Sequence, residues 1–413
     1  MTTRRLDIWL SGQHLGEIER LRNGGLRIRF AGDALRRHGV GSRVLSLSMP
    51  LTPKRVEGPE LVRFLDGLLP ESSVRADLER QNRINPGDAL SLLSVIGHEC
   101  AGAVQFTAPG EEPGAGQLRA LSVNEVSELV RDLPTLAPPD GLPISASLGG
   151  VQAKVLLTRT DAGWAWPHGG AQSTHIVKPE PSTEVLVPHL IIMEDWALRL
   201  ASAIGLQAAS SELHSFDERE AIVVERYDRQ HGTRIHQEDF TQALGIAAAN
   251  KYETSLARPT RLQTIAATAG DASAKPGAFR RALLQLVAFN VAIGNGDAHS
   301  KNYSLMIDAE GQHGLAPIYD CAPVFVANSN LFHSGHAVDE QTNLKYITGS
   351  HLIAEAESWG MRSADARSTV TETMEAVASM AGAVPAREEI AELPARVAAH
   401  ARATLTAARL PRR

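Results

Sequence analysis

Asp297 and Asn302, five residues apart in Asn295-Gly296-Asp297-Ala298-His299-Ser300-Lys301-Asn302, have the spacing of a kinase-type catalytic loop. In phosphoryl transfer an aspartate on a rigid loop accepts the proton of the attacking hydroxyl. The asparagine that follows lends a neutral oxygen to Mg²⁺, so both must hang from one short, stiff segment of backbone. Residues 282–293, just before, are apolar on nearly every side, which predicts a helix buried all round, and Gly294 and Gly296 break it sharply. Downstream, Tyr303-Ser304-Leu305-Met306-Ile307 reads as a strand and Ile318-Tyr319-Asp320 as the end of a second. Asp320 then stands where a kinase keeps its metal-binding carboxylate. The competing reading is a plain Asn-Gly-Asp turn with capping side chains. Asn302 and Asp320 at suitable offsets behind a buried helix favour the catalytic one.

Such chemistry also needs a cation for the nucleotide. Thr174-His175-Ile176-Val177-Lys178-Pro179 ends a β-branched strand in Lys178, which is otherwise a solvated edge charge. The helical segment Ile191-Ile192-Met193-Glu194-Asp195-Trp196 offers Glu194 as the partner that would fix the ammonium, with Asp195 as competitor and a solvated helix face as the alternative for both. Ala221-Ile222-Val223-Val224-Glu225-Arg226-Tyr227-Asp228-Arg229 is an apolar strand that turns polar abruptly. It reads either as a hinge that meets adenine through its backbone or as a strand followed by a charged turn. Before the apolar Val155-Leu156-Leu157, the run Ser145-Ala146-Ser147-Leu148-Gly149-Gly150-Val151-Gln152 carries paired glycines that let backbone N–H groups approach phosphate oxygens. It matches no standard glycine motif, and a hairpin turn reads equally well.

These residues need a sizeable scaffold, and 413 residues suffice for two or three domains. Cys100 and Cys321 give no disulfide framework and read as reduced, buried thiols. No apolar run approaches a membrane span and no h-region follows Met1-Thr2-Thr3-Arg4-Arg5, so the cytoplasm is the expected compartment. A net charge of −6 argues against direct nucleic-acid binding by the chain as a whole. The terminal Arg409-Leu410-Pro411-Arg412-Arg413 reads as a solvated end. Residues 5–10 and 26–30 read as strands, with Asn23-Gly24-Gly25 as the turn into the second. Ser122-Val123-Asn124-Glu125 is a capping box opening a helix to about Arg131, and the alanine-rich residues 364–408 read as two packing helices.

Taken together, the motifs resemble the HipA-like serine/threonine kinase toxins of bacterial toxin–antitoxin systems. The resemblance spans nearly the whole chain. It includes Leu45-Ser46-Leu47-Ser48-Met49-Pro50-Leu51, Phe64-Leu65-Asp66-Gly67-Leu68-Leu69-Pro70-Glu71 and Gly97-His98-Glu99-Cys100-Ala101-Gly102, none of them catalytic. It continues through residues 147–154, 175–179 and 225–229, Gln237-Glu238-Asp239-Phe240, and residues 295–302 and 319–320. It implies an α+β fold, bilobal and protein-kinase-like, with an additional N-terminal α/β subdomain. The expected domains are an N-terminal HipA-like subdomain over 1–132, a linker over 133–143, a nucleotide-binding lobe over 144–240 and a mainly helical catalytic lobe over 241–413.

The resemblance further implies ATP and Mg²⁺ as cofactors and protein serine or threonine as acceptor, aminoacyl-tRNA synthetases among the targets. By motif, Asp297 resembles the base, Asn302 and Asp320 the metal ligands and Lys178 the ATP-contacting lysine. His299 and Tyr319 fall beside the nucleotide, Glu225 and Tyr227 on the hinge, and Ser147, with Gly149, Gly150 and Val151, on the phosphate loop, where Ser147 matches an autophosphorylated serine. Met193-Glu194 stands where the family commonly has Asn-Glu, which keeps the glutamate and changes its local hydrogen bonding. The implied partners are a protein substrate and a small helix-turn-helix antitoxin through which DNA is reached indirectly, with no membrane. Two other functions share these residues: a small-molecule phosphotransferase, and a catalytically weak co-repressor of a DNA-binding antitoxin.

Overall fold

The computed structural model describes residues 2–133, 141, 152–181, 187–253 and 260–406. The chain forms two compact units. The first comprises Met1–Glu180, Glu212–Ala248 and Met306–Gln312, and the second Pro181–Ser211, Ala249–Leu305 and His313–Arg413.

The first unit holds two antiparallel sheets. One is built from β1 (Arg5–Leu10), β2 (Gln13–Arg20), β3 (Leu26–Phe30), β4 (Val56–Glu57) and β5 (Val104–Thr107) in the order β4-β3-β2-β1-β5. β3 buries Leu26, Ile28 and Phe30 and turns Arg27 and Arg29 outward, the period of a strand covered on one face. β2 stands between the two strands expected from the sequence and lacks that alternation. The register with β1 slips between Ile8 and Trp9, leaving Leu15 as an extra residue. A bulge of this kind turns Leu15 and Ile18, three positions apart, onto the same covered face. Among the helices α1 (Gly32–His38), α2 (Pro59–Gly67), α3 (Ser72–Gln81) and α4 (Ala89–Ile96), α2 and α4 supply Phe64, Leu65, Leu92 and Leu93 to the core around Ile8 and Ile28.

The second sheet has the order β10-β11-β9-β7-β8-β6. Its strands are β6 (Gln117–Ala120), β7 (Val155–Thr160), β8 (Gly163–His168), β9 (His175–Pro179), β10 (Ser211–Phe216) and β11 (Arg219–Glu225). Helix α5 (Val123–Asp132) opens with the expected capping box, in which Ser122 and Glu125 satisfy each other's backbone N–H. Its Val126, Leu129 and Val130 pack against Val177 and Val223, which face each other across β9 and β11. Lys178, paired with Ile222, is buried. A short helix, α7 (Phe240–Ala243), follows this sheet.

Beyond β11 the chain makes the charged turn, with the Arg229 N–H donating to the Arg226 carbonyl at 3.2 Å, and Arg226, Asp228 and Arg229 are buried. They close on Glu99, which is fully buried. Its carboxylate accepts from Arg226 and Arg229 at 3.0 Å each, from Arg234, and from the backbone and hydroxyl of Ser173 at 3.0 and 2.9 Å. Asp228 takes Arg226 at 2.8 Å and the Gly102 N–H at 2.7 Å. Burial, and then the neighbouring Arg226, push the Arg229 guanidinium down to about 9.

The second unit is mainly helical. It contains α6 (Leu190–Ala203), α8 (Arg261–Asp271), α9 (Pro276–Ile293), α10 (Val324–Ala327), α11 (Gly349–Ser358), α12 (Ser363–Met380) and α13 (Leu393–Thr406), and α8, α11, α12 and α13 surround α9. Proline at the first turn pre-sets φ for α9, and Leu283, Leu284, Val287, Phe289 and Ile293 are buried along it. α12 and α13 are the two helices expected over 364–408. Residues 318–320 differ from expectation: Ile318 makes only an isolated parallel bridge to Ala208 and no strand follows. Pro317 has no N–H for a ladder and Asp320 turns to φ +52°, so the extended pairing stops there. Both cysteines are free and buried. No helix among the described residues is long and apolar enough to cross a membrane.

Glu99→Gln should destabilise the folded chain by about 3–5 kcal/mol in urea unfolding, because Arg234 then loses its carboxylate and Arg226 and Arg229 keep only Asp228 in a buried site. Removing the exposed Arg36–Asp33 pair should leave the same transition where it is.

Candidate active site

Helix α9 ends so that it aims the loop. Gly294 adopts left-handed φ +73°, and its N–H caps the helix on the carbonyls of Asn290 and Val291. Asn290 is the polar residue of the buried stretch. Its Oδ1 accepts from Asn295 Nδ2 at 2.8 Å, while its Nδ2 donates to Leu286 O at 3.0 Å and to the Tyr303 hydroxyl at 3.1 Å. Asn295 Oδ1 in turn accepts the Asp297 N–H at 3.1 Å, closing an Asx turn. The Asp297 carbonyl accepts from the His299 N–H at 2.7 Å and from Asn302 Nδ2 at 2.9 Å. Tyr319 donates its hydroxyl to Lys301 O at 2.8 Å. Asn295, His299, Ser300 and Lys301 are consequently buried, whereas the Asp297 side chain is 53% exposed. Asn-Gly-Asp is indeed a turn, and the turn is what carries the carboxylate outward.

Around that carboxylate, Tyr252 donates its hydroxyl to Asp297 Oδ1 and sets its ring edge-on to His299, with centroids 4.8 Å apart at 83°. His299 Nε2 lies 3.8 Å from the same oxygen. Burial, then Lys251, push the imidazole down to about 4, although Asp320 pulls the other way, so His299 is neutral at neutral pH.

A second layer fixes the segment that bears Tyr252. The Lys251 carbonyl accepts from Ser300 N–H at 3.1 Å and from the Arg261 guanidinium at 2.8 Å. The Glu253 N–H donates to Gly335 O at 3.0 Å, and its carboxylate accepts from the Arg261 N–H at 2.9 Å and from His336 and the Ala337 N–H at 3.3 Å each. Burial works to raise the Glu253 carboxyl, but His336 and the backbone donors hold it below the usual carboxylate range. At Gly335 a Cβ would stand 2.4 Å from the Ala298 carbonyl and the His299 nitrogen, so only glycine lets the strand His333–Val338 pass this loop.

Asp297, His299, Asn302, Tyr319 and Asp320 belong to the second unit, as does Glu194; Lys178, Glu225 and Tyr227 belong to the first. Glu194 and Asp195 are both buried, which removes the solvated-face reading. Asp195 is engaged by Arg199 at 2.9 Å and Ser211 at 2.8 Å. Glu225 is exposed at the end of β11 opposite His175, and Tyr227 donates its hydroxyl to Gln237. Ser147, Gly149, Gly150 and Val151 lie outside the described residues, as do residues 409–413 and nearly all of the segment read as a linker.

The donor set suits Mg²⁺. With Asn302 Nδ2 committed to the loop, its amide oxygen is the atom left for a metal, and Asp320 adds a carboxylate from a left-handed backbone position uncommon outside glycine. Mg²⁺ is commonly held by one or two such oxygens plus substrate phosphates and water. Among the described residues no group of three or more His, Cys, Asp or Glu side chains offers a self-sufficient cage.

Tyr252, Glu253, Arg261, Gly335 and His336 lie outside every motif read from the sequence. Asn290 alone carried a signal, as a polar residue in an apolar helix.

A model of the HipA-like C-terminal domain matches residues 146–381, and one of the HipA N-terminal domain matches residues 6–107. The chain is 36% identical over 334 residues to the putative kinase Y4mE of Sinorhizobium fredii, covering 78% of this chain and 77% of that one. It is 31% identical over 323 residues to the serine/threonine-protein kinase toxin HipA of Shewanella oneidensis, covering 73% and 72%. A solved Shewanella oneidensis MR-1 complex of HipA, HipB and operator DNA contains a chain that matches with a TM-score of 0.80 at 25% identity over 96% of both. The fold is therefore α+β and protein-kinase-like, with an additional N-terminal α/β subdomain.

Gly335→Ala should force the loop at 298–299 to move. The expected result is a loss of about 1–3 kcal/mol in chemical unfolding together with a collapse of whatever turnover the loop supports.

Proposed function

This chain belongs to the HipA family, and from that membership we propose that it is an ATP- and Mg²⁺-dependent protein serine/threonine kinase, the toxin of a toxin–antitoxin pair. The observation that carries the reading is the loop itself: one half-exposed carboxylate, Asp297, on a backbone held at its N–H by Asn295 and at its carbonyl by Asn302. Asp297 accepts the proton of an acceptor serine or threonine hydroxyl. Asn302 and Asp320 hold the metal, Lys178 with Glu194 meets the nucleotide phosphates, and Glu225 and Tyr227 form the hinge. His299 and Tyr319 lie beside the nucleotide. When bound, ATP supplies the phosphoryl group and Mg²⁺ offsets the charge on its oxygens.

The acceptor is a cytoplasmic protein, with aminoacyl-tRNA synthetases the class to test first. The paratoxin partner is a small helix-turn-helix antitoxin through which DNA is reached; the solved relative, which carries HipB and operator DNA, supports that part of the reading. Ser147, with Gly149, Gly150 and Val151, forms the phosphate loop, and phosphate on Ser147 sets about −1.5 to −2 charges against those of the nucleotide. Domain limits of 1–132, 133–143, 144–240 and 241–413 complete the proposal.

Purified chain incubated with labelled ATP, Mg²⁺ and cell lysate tests it. Asp297→Asn should keep the unfolding transition and lose nearly all transfer, because an amide cannot accept the proton; wild-type turnover in this variant would remove Asp297 from the base role. Asp320→Asn should weaken Mg²⁺-dependent ATP binding in titration calorimetry, through loss of a formal charge at the metal. Mass spectrometry of the same incubation should find phosphate on Ser147 in the wild type and not in Asp297→Asn, and the phosphorylated form should bind ATP more weakly.

A further inference from the structure

We propose that Tyr252 is a positioning residue for the Asp297 carboxylate, an inference that rests on the kinase reading above. The backbone of Asp297 is fixed at both ends by Asn295 and Asn302, so rotation of its side chain is the freedom that remains. A carboxylate that is 53% exposed has more than one rotamer open to it, and a base displaced from the acceptor hydroxyl loses most of its effect. The Tyr252 hydroxyl donates to Oδ1 and takes up that freedom.

The contact is built. Lys251, on one side of Tyr252, gives its carbonyl to Ser300 and Arg261. Glu253, on the other side, is held by Gly335, Arg261, His336 and Ala337. The tyrosine between them projects its ring against His299 at 4.8 Å. An ionised carboxylate presents about four lone-pair sites, so the phenol donor occupies one of them and leaves capacity for the acceptor's proton.

The test uses the full chain with ATP, Mg²⁺ and dephosphorylated casein. Tyr252→Phe keeps the ring against His299 and removes only the donor. We expect kcat to fall about 10- to 100-fold, with unchanged KM for ATP and casein and an unchanged thermal midpoint. A purely structural role would instead move the midpoint and the KM for ATP. Tyr252→Ala, which also removes the ring, should fall at least as far in kcat. Three outcomes overturn the assignment: kcat within twofold of the wild type, a lower KM for casein with a raised kcat, which would make the phenol a competitor of the acceptor, or phosphate found on Tyr252 itself. A wild-type chain without transfer to any acceptor takes down the kinase reading as well, whereas an active wild type beside an unaltered Tyr252→Phe removes this inference alone.

Discussion

The loop after α9 has to hide its backbone and still present one charge. A buried backbone polar group without a partner costs as much as a lost hydrogen bond, so residues 294–302 can be buried only if their N–H and C=O groups are satisfied inside the fold. Asn290 and Asn295 meet that requirement by side chain, Lys251 by carbonyl and Tyr319 by hydroxyl. None of these donors or acceptors is charged.

The first unit solves the opposite problem. Its charges at 99, 226, 228, 229 and 234 are driven inward, where three arginines meet two carboxylates and the carbonyls of Cys100, Gly102 and Gly170 absorb the remaining donors. Such a cluster adds little net stability compared with an apolar core, because desolvation consumes most of the attraction. It does fix geometry. Planar guanidinium groups admit few arrangements, so the end of β11, the segment read as a hinge, is held against the residues before β5 in one register.

Local chemistry was the legible part. Covalent spacing made Asp297 and Asn302 visible, a 3.6-residue apolar pattern marked α9, and Ser122 with Glu125 announced α5. What escaped notice depends on residues distant in the chain. The burial of Arg226 in its charged turn has no local sign because its partner Glu99 stands 127 positions earlier. β2 was missed because a bulge spoils its alternation, and Ile318 passed for a strand end although Pro317 and the left-handed Asp320 prevent a ladder. Gly335 and Tyr252 carry no local signature, since what makes them necessary is the loop they touch across the fold.

His299 stands neutral beside an exposed carboxylate, and that arrangement has a cost. The imidazole Nε2 stands 3.8 Å from Asp297, where a protonated ring would form an ion pair and make the carboxylate a poorer proton acceptor. Burial and Lys251 prevent this by holding the ring neutral, down to about 4. The cost appears at the other nitrogen: His299 Nδ1 is buried with no hydrogen-bond partner among the described residues, a defect of about 1–3 kcal/mol. A fold selected for stability alone would place a hydrocarbon or a paired histidine there; a neutral ring beside an exposed aspartate fits a site that needs the aspartate to remain basic.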